Sequence, residues 1–214
     1  MSVIADDSLN LTQSLRSHLA EDVHRWIQCL LDGGLSEAAG LATRIAEQGF
    51  DMYVTDSLDK ANDYLHKRYD RQTDKRYGIL ASSKAKNLVR IGIRNDFSFT
   101  KNLREGPWYN DDPESARSCC QLRDVATEFS CQGLELDFPL VAWGDDFTWD
   151  GTRWASVPQP RSHAHDPHRL RINSYRVLLS RGRDGFVIFV PPEPALPMTT
   201  TCDALKSAGV RPLP

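Results

Sequence analysis

Hydrophobic side chains recur at helical spacing through the first third of the chain. In LRSHLAEDVHRWIQCLL, residues 15–31, the apolar positions fall on one face of an amphipathic helix, and two glycines follow as a stop. A second helix is predicted to begin at Ser36, its candidate N-cap, and to end at Gly49. The apolar stretch 50–54 then predicts a short strand, and residues 57–69 predict a third amphipathic helix.

The stretch YGILASS, residues 77–83, predicts a short buried strand followed by a helix over 85–89. A strand that runs into Ser82 and Ser83 before a helix is typical of a loop that faces an anion, and Lys84 follows directly. These three residues are therefore candidate phosphate or nucleic-acid contacts. The alternative is that the two serines cap the helix and that the lysine is solvated.

The second half of the chain alternates between strand-like and helix-like patterns. Residues 92–116 lack periodicity and predict an irregular excursion, whereas the apolar run 138–144 predicts a buried strand. A β-hairpin is predicted over 146–154, with Asp-Gly at its turn, and a helix from residue 169 leads into the strand GFVIFVP at 185–191. This alternation predicts an α/β fold with a mainly parallel sheet covered by helices on both faces.

Composition narrows the class of protein but not its partners. The chain has 214 residues with 26 lysines and arginines against 29 acids, a net charge of -3. Bulk charge therefore excludes a strongly basic nucleic-acid-binding protein and leaves a local basic patch open. Five cysteines without Cys-x-x-Cys spacing indicate reduced thiols. We find neither a signal-peptide pattern nor an apolar run of spanning length, and we expect a cytoplasmic protein without a membrane partner.

The stretch HAHDPH contains side chains of the types that bind metals: His163, His165, Asp166 and His168. Histidines in a loop bind added transition metals without a biological purpose, and nothing in the sequence positions a fourth ligand or a supporting shell. We assign no metal site.

Two aromatic residues of the irregular excursion, Trp108 and Tyr109, are better candidates for stacking on a nucleic-acid base than the later tryptophans, but packing is the interpretation that we favour. The three tryptophans of the second half are better explained by packing in the core and the hairpin: Trp143, Trp149 and Trp154.

Three blocks, in order, carry a family resemblance: YGILASSKAKNL, ATEFSCQGLELDFPLVAWGDD and NSYRVLLSRGRDGFVIFVPP. Together they resemble the second, C-terminal RecA-like lobe of superfamily 1 helicases, and more closely the DNA/RNA helicase domain of the Schlafen-like group, a family of P-loop NTPases. The resemblance runs from about residue 15 to the C-terminus. It implies a RecA-like lobe over 50–214, with residues 1–49 as a helical lead-in packed on it as one continuous domain.

The middle block resembles helicase motif V, whose glycine-leucine-glutamate approaches nucleotide ribose and the nucleic-acid backbone. By matching position the resemblance implicates Gln132, Gly133 and Glu135, with Glu128 and Asp137 as supports. Glycine permits close approach of a backbone, and a carboxylate can accept hydrogen bonds from ribose hydroxyls.

The third block resembles motif VI, in which Arg181 matches an arginine finger and Arg183 assists it or pairs with Asp184. Such an arginine stabilises the charge that develops on the γ-phosphate oxygens during phosphoryl transfer. The alternative from the residues alone is that these cations offset the dipole at a helix C-terminus.

One departure from the family pattern limits what the chain does alone. None of its 13 glycines is followed by lysine, so the sequence contains no Walker A motif. We therefore expect ATP and Mg²⁺ to bind only with a complementary first lobe or a neighbouring protein that carries Walker A, and we expect no cofactor on the isolated chain. DNA or RNA is the implied substrate. The alternative is a non-catalytic nucleic-acid-binding or assembly module derived from such a lobe.

Overall fold

The computed structural model describes residues 15–157, 166–193 and 197–214. The helices of these residues are α1 (Leu15–Leu31), α2 (Leu35–Glu47), α3 (Leu58–Arg68), α4 (Phe97–Thr100), α5 (Glu105–Asn110), α6 (Pro167–Leu179) and α7 (Met198–Ser207). The strands are β1 (Asp51–Thr55), β2 (Ile79–Ala81), β3 (Val125–Thr127), β4 (Leu140–Ala142), β5 (Phe147–Trp149), β6 (Trp154–Ser156), β7 (Gly185–Phe189) and β8 (Arg211–Pro212).

Six of the strands form one parallel sheet in the order β3-β2-β4-β7-β1-β8. The central strand β7 reads GFVIF and is buried at every position, which is the pattern expected of a parallel strand covered on both faces. Strands β5 and β6 form a separate antiparallel hairpin in which Trp149 is opposite Trp154.

Helices pack on both faces of the sheet. On one face, Phe186 of β7 packs against Trp26 of α1, with ring centroids 5.8 Å apart. On the other face, Tyr53 of β1 meets Tyr64 of α3 edge-on at 5.5 Å. Helix α1 also contacts α2 and α6, and α2 contacts α7, so these four helices form one layer. The predicted α/β fold with a parallel sheet and preceding helices is confirmed.

The parallel sheet has two chemically distinct edges. All six strands begin at one edge, here called the amino edge, and end at the other, the carboxyl edge. The five residues of β7 separate the two edges by roughly 16 Å, at about 3.3 Å per residue. Loops at opposite edges therefore cannot contribute side chains to one small binding site.

Most of the helices and strands predicted from periodicity are confirmed, including α1 over the predicted residues and the hairpin. The helix predicted over 85–89 is wrong, because the chain forms only a short 3₁₀ helix at Leu88–Ile91. The side chain of Asp145 accepts hydrogen bonds from the backbone N–H groups of Lys86 and Asn87 at 2.8 and 3.4 Å. These donors are therefore satisfied without an α-helix.

The N-cap predicted for the second helix is also wrong. Helix α2 begins at Leu35, its N-cap residue is Gly34, and no side chain caps it. Ser36 lies inside the first turn and is exposed.

Residues 92–116 are less irregular than predicted, since they contain the short helices α4 and α5. The indole of Trp108 is buried and lies within hydrogen-bonding distance of the Asp124 carbonyl, with its Nε1 donating at 3.3 Å. Trp108 therefore packs in the core, as the favoured interpretation predicted, and its ring is not available for base stacking. The three tryptophans predicted to pack in the core and hairpin are all buried: Trp143, Trp149 and Trp154.

Two further sequence expectations concern metals and membranes. His163 and His165 lie outside the described residues, and His168 places its Nδ1 3.1 Å from the Ser156 hydroxyl. Within the described part of the chain, no group of three histidine, cysteine, aspartate or glutamate side chains is placed to hold a metal ion. None of the helices described is both long and apolar enough to cross a bilayer.

Gly185 is a position where any side chain should destabilise the fold. Its φ is +147°, and a Cβ would lie 2.1 Å from the Asp51 carbonyl oxygen in the neighbouring strand. We expect Gly185→Ala to lower the free energy of unfolding by about 3 kcal/mol or more in urea titrations. Gly40→Ala is the control, because its Cβ would meet nothing within 4 Å on helix α2, and it should raise stability by up to about 1 kcal/mol. If the two variants were equally stable, the close contact between Gly185 and the Asp51 carbonyl oxygen would be contradicted.

Candidate functional site

Two loops that are distant in sequence meet at the amino edge of the sheet. The backbone N–H of Leu136 donates to the Arg181 carbonyl at 2.8 Å, and the N–H of Arg183 donates to the Leu136 carbonyl at 2.9 Å. Leu136 and Gly182 thereby form a parallel bridge just before β4 and β7 begin. The structure therefore brings the QGLE segment and the RGRDG segment together.

Glycines allow these two loops to take their paths. A Cβ on Gly182 would lie 2.2 Å from the Gly185 carbonyl oxygen, so only glycine fits the tight RGRDG turn. Gly133 has a φ of +79°, in the left-handed region that residues other than glycine rarely adopt. It lies in an exposed turn with Gln132. The Gln132 side chain forms no hydrogen bond with a described residue.

The guanidinium of Arg181 is held in one place by three protein oxygens. Its Nε donates to the Val177 carbonyl at 3.1 Å, Nη1 to the Leu134 carbonyl at 3.2 Å and Nη2 to the Ser180 hydroxyl at 2.8 Å. Val177 is in the last turn of α6, so the cation also offsets the helix dipole, as the sequence alternative expected. Because an arginine has five N–H donors, two remain for another acceptor.

Arg183 forms an ion pair with Glu135, with Nε 2.9 Å from Oε2. Its predicted pairing with Asp184 is wrong, because Asp184 accepts instead from Lys75 Nζ at 3.3 Å and from the Tyr69 hydroxyl at 3.1 Å. The Arg183 and Glu135 side chains are 52% and 61% exposed, so water screens the pair and it adds little stability. Both side chains can therefore exchange partners at low cost.

Asp137 stabilises the backbone behind this pair. Its carboxylate is largely buried and accepts from the Arg76 backbone N–H at 2.7 Å and from Lys75 Nζ at 3.1 Å. The Tyr109 hydroxyl donates to the Glu135 carbonyl at 2.7 Å. Tyr109 thus fixes the QGLE loop in this structure.

A second polar cluster is buried at the carboxyl edge, where it surrounds the guanidinium of Arg171 in α6. Its Nη1 lies 3.1 Å from Asp146 Oδ2, 3.7 Å from Glu128 Oε1 and 2.8 Å from the Ser82 hydroxyl. Ser82 follows β2, Glu128 follows β3 and Asp146 lies beyond the end of β4, so Arg171 joins the ends of three strands. Tyr175 donates to Asp146 Oδ1 at 2.8 Å and completes the cluster.

Burial controls the electrostatics of this cluster. Loss of hydration raises the pKa of Asp146 above its usual value, and hydrogen bonds from Ser82 and Tyr175 and the Arg171 charge act in the opposite direction. Burial also raises the pKa of the Tyr175 hydroxyl well above its ordinary range. A buried carboxylate is tolerated only when it is paired and hydrogen-bonded, so Arg171 is essential to this arrangement.

The structure places Ser82, Ser83 and Lys84 at the carboxyl edge, away from Arg181. Ser82 is buried and donates to Asp146 at 2.6 Å, and Ser83 donates from its hydroxyl and its backbone N–H to Glu128 at 2.9 and 2.8 Å. Neither serine caps an α-helix. The Lys84 side chain is exposed. The predicted site residues therefore fall into two groups, roughly 16 Å apart along β7.

Sequence reasoning missed Arg171, Asp146 and Tyr175. A signal was present, because Arg171, Ser174, Tyr175 and Leu178 have the i, i+3, i+4, i+7 spacing of one helical face. All four are buried. An arginine on an otherwise buried face requires a buried acid, and the apolar run that ends in Asp145-Asp146 supplies one.

Comparisons with known proteins give one family match. Residues 1–192 match the family model described as Schlafen group 3, DNA/RNA helicase domain. No curated protein matches the chain.

Removing Arg171 should leave an unpaired carboxylate in the core. We expect Arg171→Met to lower the free energy of unfolding by about 3 to 5 kcal/mol near neutral pH, measured by urea titration. Arg169→Met, two residues earlier on the same helix and exposed, is the control and should change stability by no more than about 0.5 kcal/mol.

The deficit in the free energy of unfolding of Arg171→Met, relative to the wild-type chain, should also depend on pH. Without Arg171 the already raised pKa of Asp146 rises further, so the folded variant takes up a proton that the unfolded chain does not. The variant is then most stable at low pH and loses stability as pH rises through the raised pKa. The deficit should therefore be smaller at about pH 5 than at about pH 8. An equal deficit at the two pH values would show that Asp146 is not the carboxylate left without its partner.

Proposed function

Because the chain belongs to the Schlafen group 3 DNA/RNA helicase domain family, we propose that it acts as the C-terminal RecA-like lobe of an ATP-dependent helicase or nucleic-acid-dependent ATPase. The observation that carries this proposal is the meeting of the QGLE loop with Arg181 and Arg183 at the amino edge. In this proposal the amino edge faces the ATP bound by a first lobe.

The chemistry of the amino edge suits the phosphate end of a nucleotide. Arg181 is oriented by three hydrogen bonds and has two N–H donors left, while Arg183 uses only its Nε on an exposed carboxylate. An oriented guanidinium with spare donors can contact phosphate oxygens without a large entropic cost. Glu135, when released from Arg183, could accept from a ribose hydroxyl. When bound, ATP with Mg²⁺ would supply the phosphoryl group that these residues contact.

The same amino edge lacks the groups that hold a nucleotide by itself. A phosphate cradle needs a glycine-rich loop with lysine, and no glycine of this sequence precedes a lysine. We propose that a Walker A-containing first lobe, in the same polypeptide or in a neighbouring protein, supplies this cradle. The isolated chain should then hydrolyse no ATP.

A second candidate is a non-catalytic nucleic-acid-binding or assembly module with the same fold. One observation favours it, since three donors of Arg181 already serve the fold: two contact the end of α6, at Val177 and Ser180, and one contacts the Leu134 carbonyl. In that case Arg181 is a structural residue, and ATP hydrolysis by a joined protein would not depend on it.

The two candidates differ in the effect of Arg181→Ala on a protein that joins this chain to a Walker A lobe. If Arg181 is an arginine finger, kcat for ATP hydrolysis should fall by about a thousandfold or more, because the transition-state charge loses its partner. Arg176→Ala is the matched control, since Arg176 is also a partly buried arginine near the end of α6 and donates to Gln28 and Asn173. Unchanged turnover in the folded Arg181→Ala protein would show that Arg181 is not an arginine finger.

A further inference from the structure

A cavity of about 400 Å³ lies outside the edge strand β3, and its lining shares no residue with the two groups described above. Its volume is within the usual range of small-molecule pockets. It is formed between the start of β3 and the excursion that contains α4 and α5. We call it the arginine cavity, because four of its lining residues are arginines: Arg94, Arg104, Arg117 and Arg123.

The arginine cavity concentrates positive charge in an acidic protein. It is lined by four arginines and one acid, Asp124, a net charge of +3, whereas the whole chain has a net charge of -3. Arg117 is paired with Asp111 at 2.8 Å. The side chains of Arg104 and Arg123 are exposed and form no hydrogen bond or ion pair with a described residue. These two guanidinium groups are therefore available to an anionic ligand.

The arginine cavity also contains an exposed aromatic ring beside a planar cation. Phe99 is 41% exposed, and the guanidinium of Arg94 lies over its ring. Small polar side chains also line the cavity, namely Ser98, Thr100 and Asn102, together with apolar residues that include Leu103 and Val125. Guanidinium groups that bind phosphates, next to a face on which a base can stack, are the elements by which proteins hold single-stranded nucleic acid.

We propose that the arginine cavity binds one nucleotide unit of a single-stranded nucleic acid, with Arg104 and Arg123 on its phosphates and Phe99 with Arg94 against its base. The choice of nucleic acid rests on the proposed function, but the cavity itself is not part of the ATP site. Strand β3 is two positions from β4 in the sheet, about 10 Å away. The cavity is lined by Val125, the first residue of β3, so it lies near the amino edge of the sheet. An acidic peptide could satisfy the arginines but would leave the stacking face unused.

The test measures binding of a fluorescein-labelled oligothymidylate to the chain by fluorescence anisotropy over a series of salt concentrations. We expect Arg104→Gln with Arg123→Gln to weaken binding about tenfold or more and to reduce the log-log salt slope by about 1.4, since each phosphate contact on a single strand contributes about 0.7. The control removes two exposed arginines elsewhere, Arg25→Gln with Arg153→Gln, and should leave both quantities unchanged.

A second comparison tests the stacking face. Phe99→Ala should weaken binding of oligothymidylate about tenfold and leave binding of an abasic strand of equal length unchanged. Equal losses on both strands, or displacement of the oligonucleotide by oligoglutamate at equal charge concentration, would identify a general anion surface and overturn the nucleotide assignment.

The remaining outcomes separate this proposal from the proposed function. If the wild-type chain binds the oligonucleotide and the arginine variants bind it equally well, the cavity assignment is wrong and the helicase proposal stands. If the wild-type chain binds no oligonucleotide, the cavity assignment is also wrong, and ATP hydrolysis by the joined lobes decides the helicase proposal independently.

Discussion

The buried guanidinium of Arg171 is the interaction on which the placement of the candidate site depends. It joins helix α6 to Ser82, Glu128 and Asp146, at the carboxyl ends of three strands. Arg171 is the fifth residue of α6, and the last residue, Leu179, lies about 12 Å further along the helix axis, toward the amino edge. A helix that an ion cluster fixes near its start therefore places Arg181, two residues beyond its last residue, at a defined position.

The charged groups at the two edges of the sheet therefore have different roles. At the carboxyl edge the Arg171 cluster is buried and its cation contacts two carboxylates, which suits a structural role. At the amino edge Arg183 and Glu135 are exposed, and Arg181 has donors to spare. A charge that must meet a nucleotide has to be oriented without being neutralised, and only the amino edge has that property.

The fold could be predicted largely from local patterns, whereas the site could be predicted only in part. Helix α1 and the strand GFVIF follow from apolar spacing, because such spacing reports burial directly. Contacts between residues that are far apart in the sequence produce no such local pattern. Nothing local distinguishes Glu135, 48 residues away, from the adjacent Asp184 as the partner of Arg183. The helix predicted after β2 failed for the same reason, since its amide donors are taken by Asp145.

In the proposed function, the amino edge completes a nucleotide site on another lobe. The most direct test is the affinity of this chain for a separately purified Walker A lobe, measured by calorimetry with and without a non-hydrolysable ATP analogue. If the amino edge contacts the nucleotide, linkage requires the analogue to tighten association of the lobes, about fivefold or more, and Arg181→Ala to remove most of that gain. Association that is unaffected by the analogue would contradict the claim.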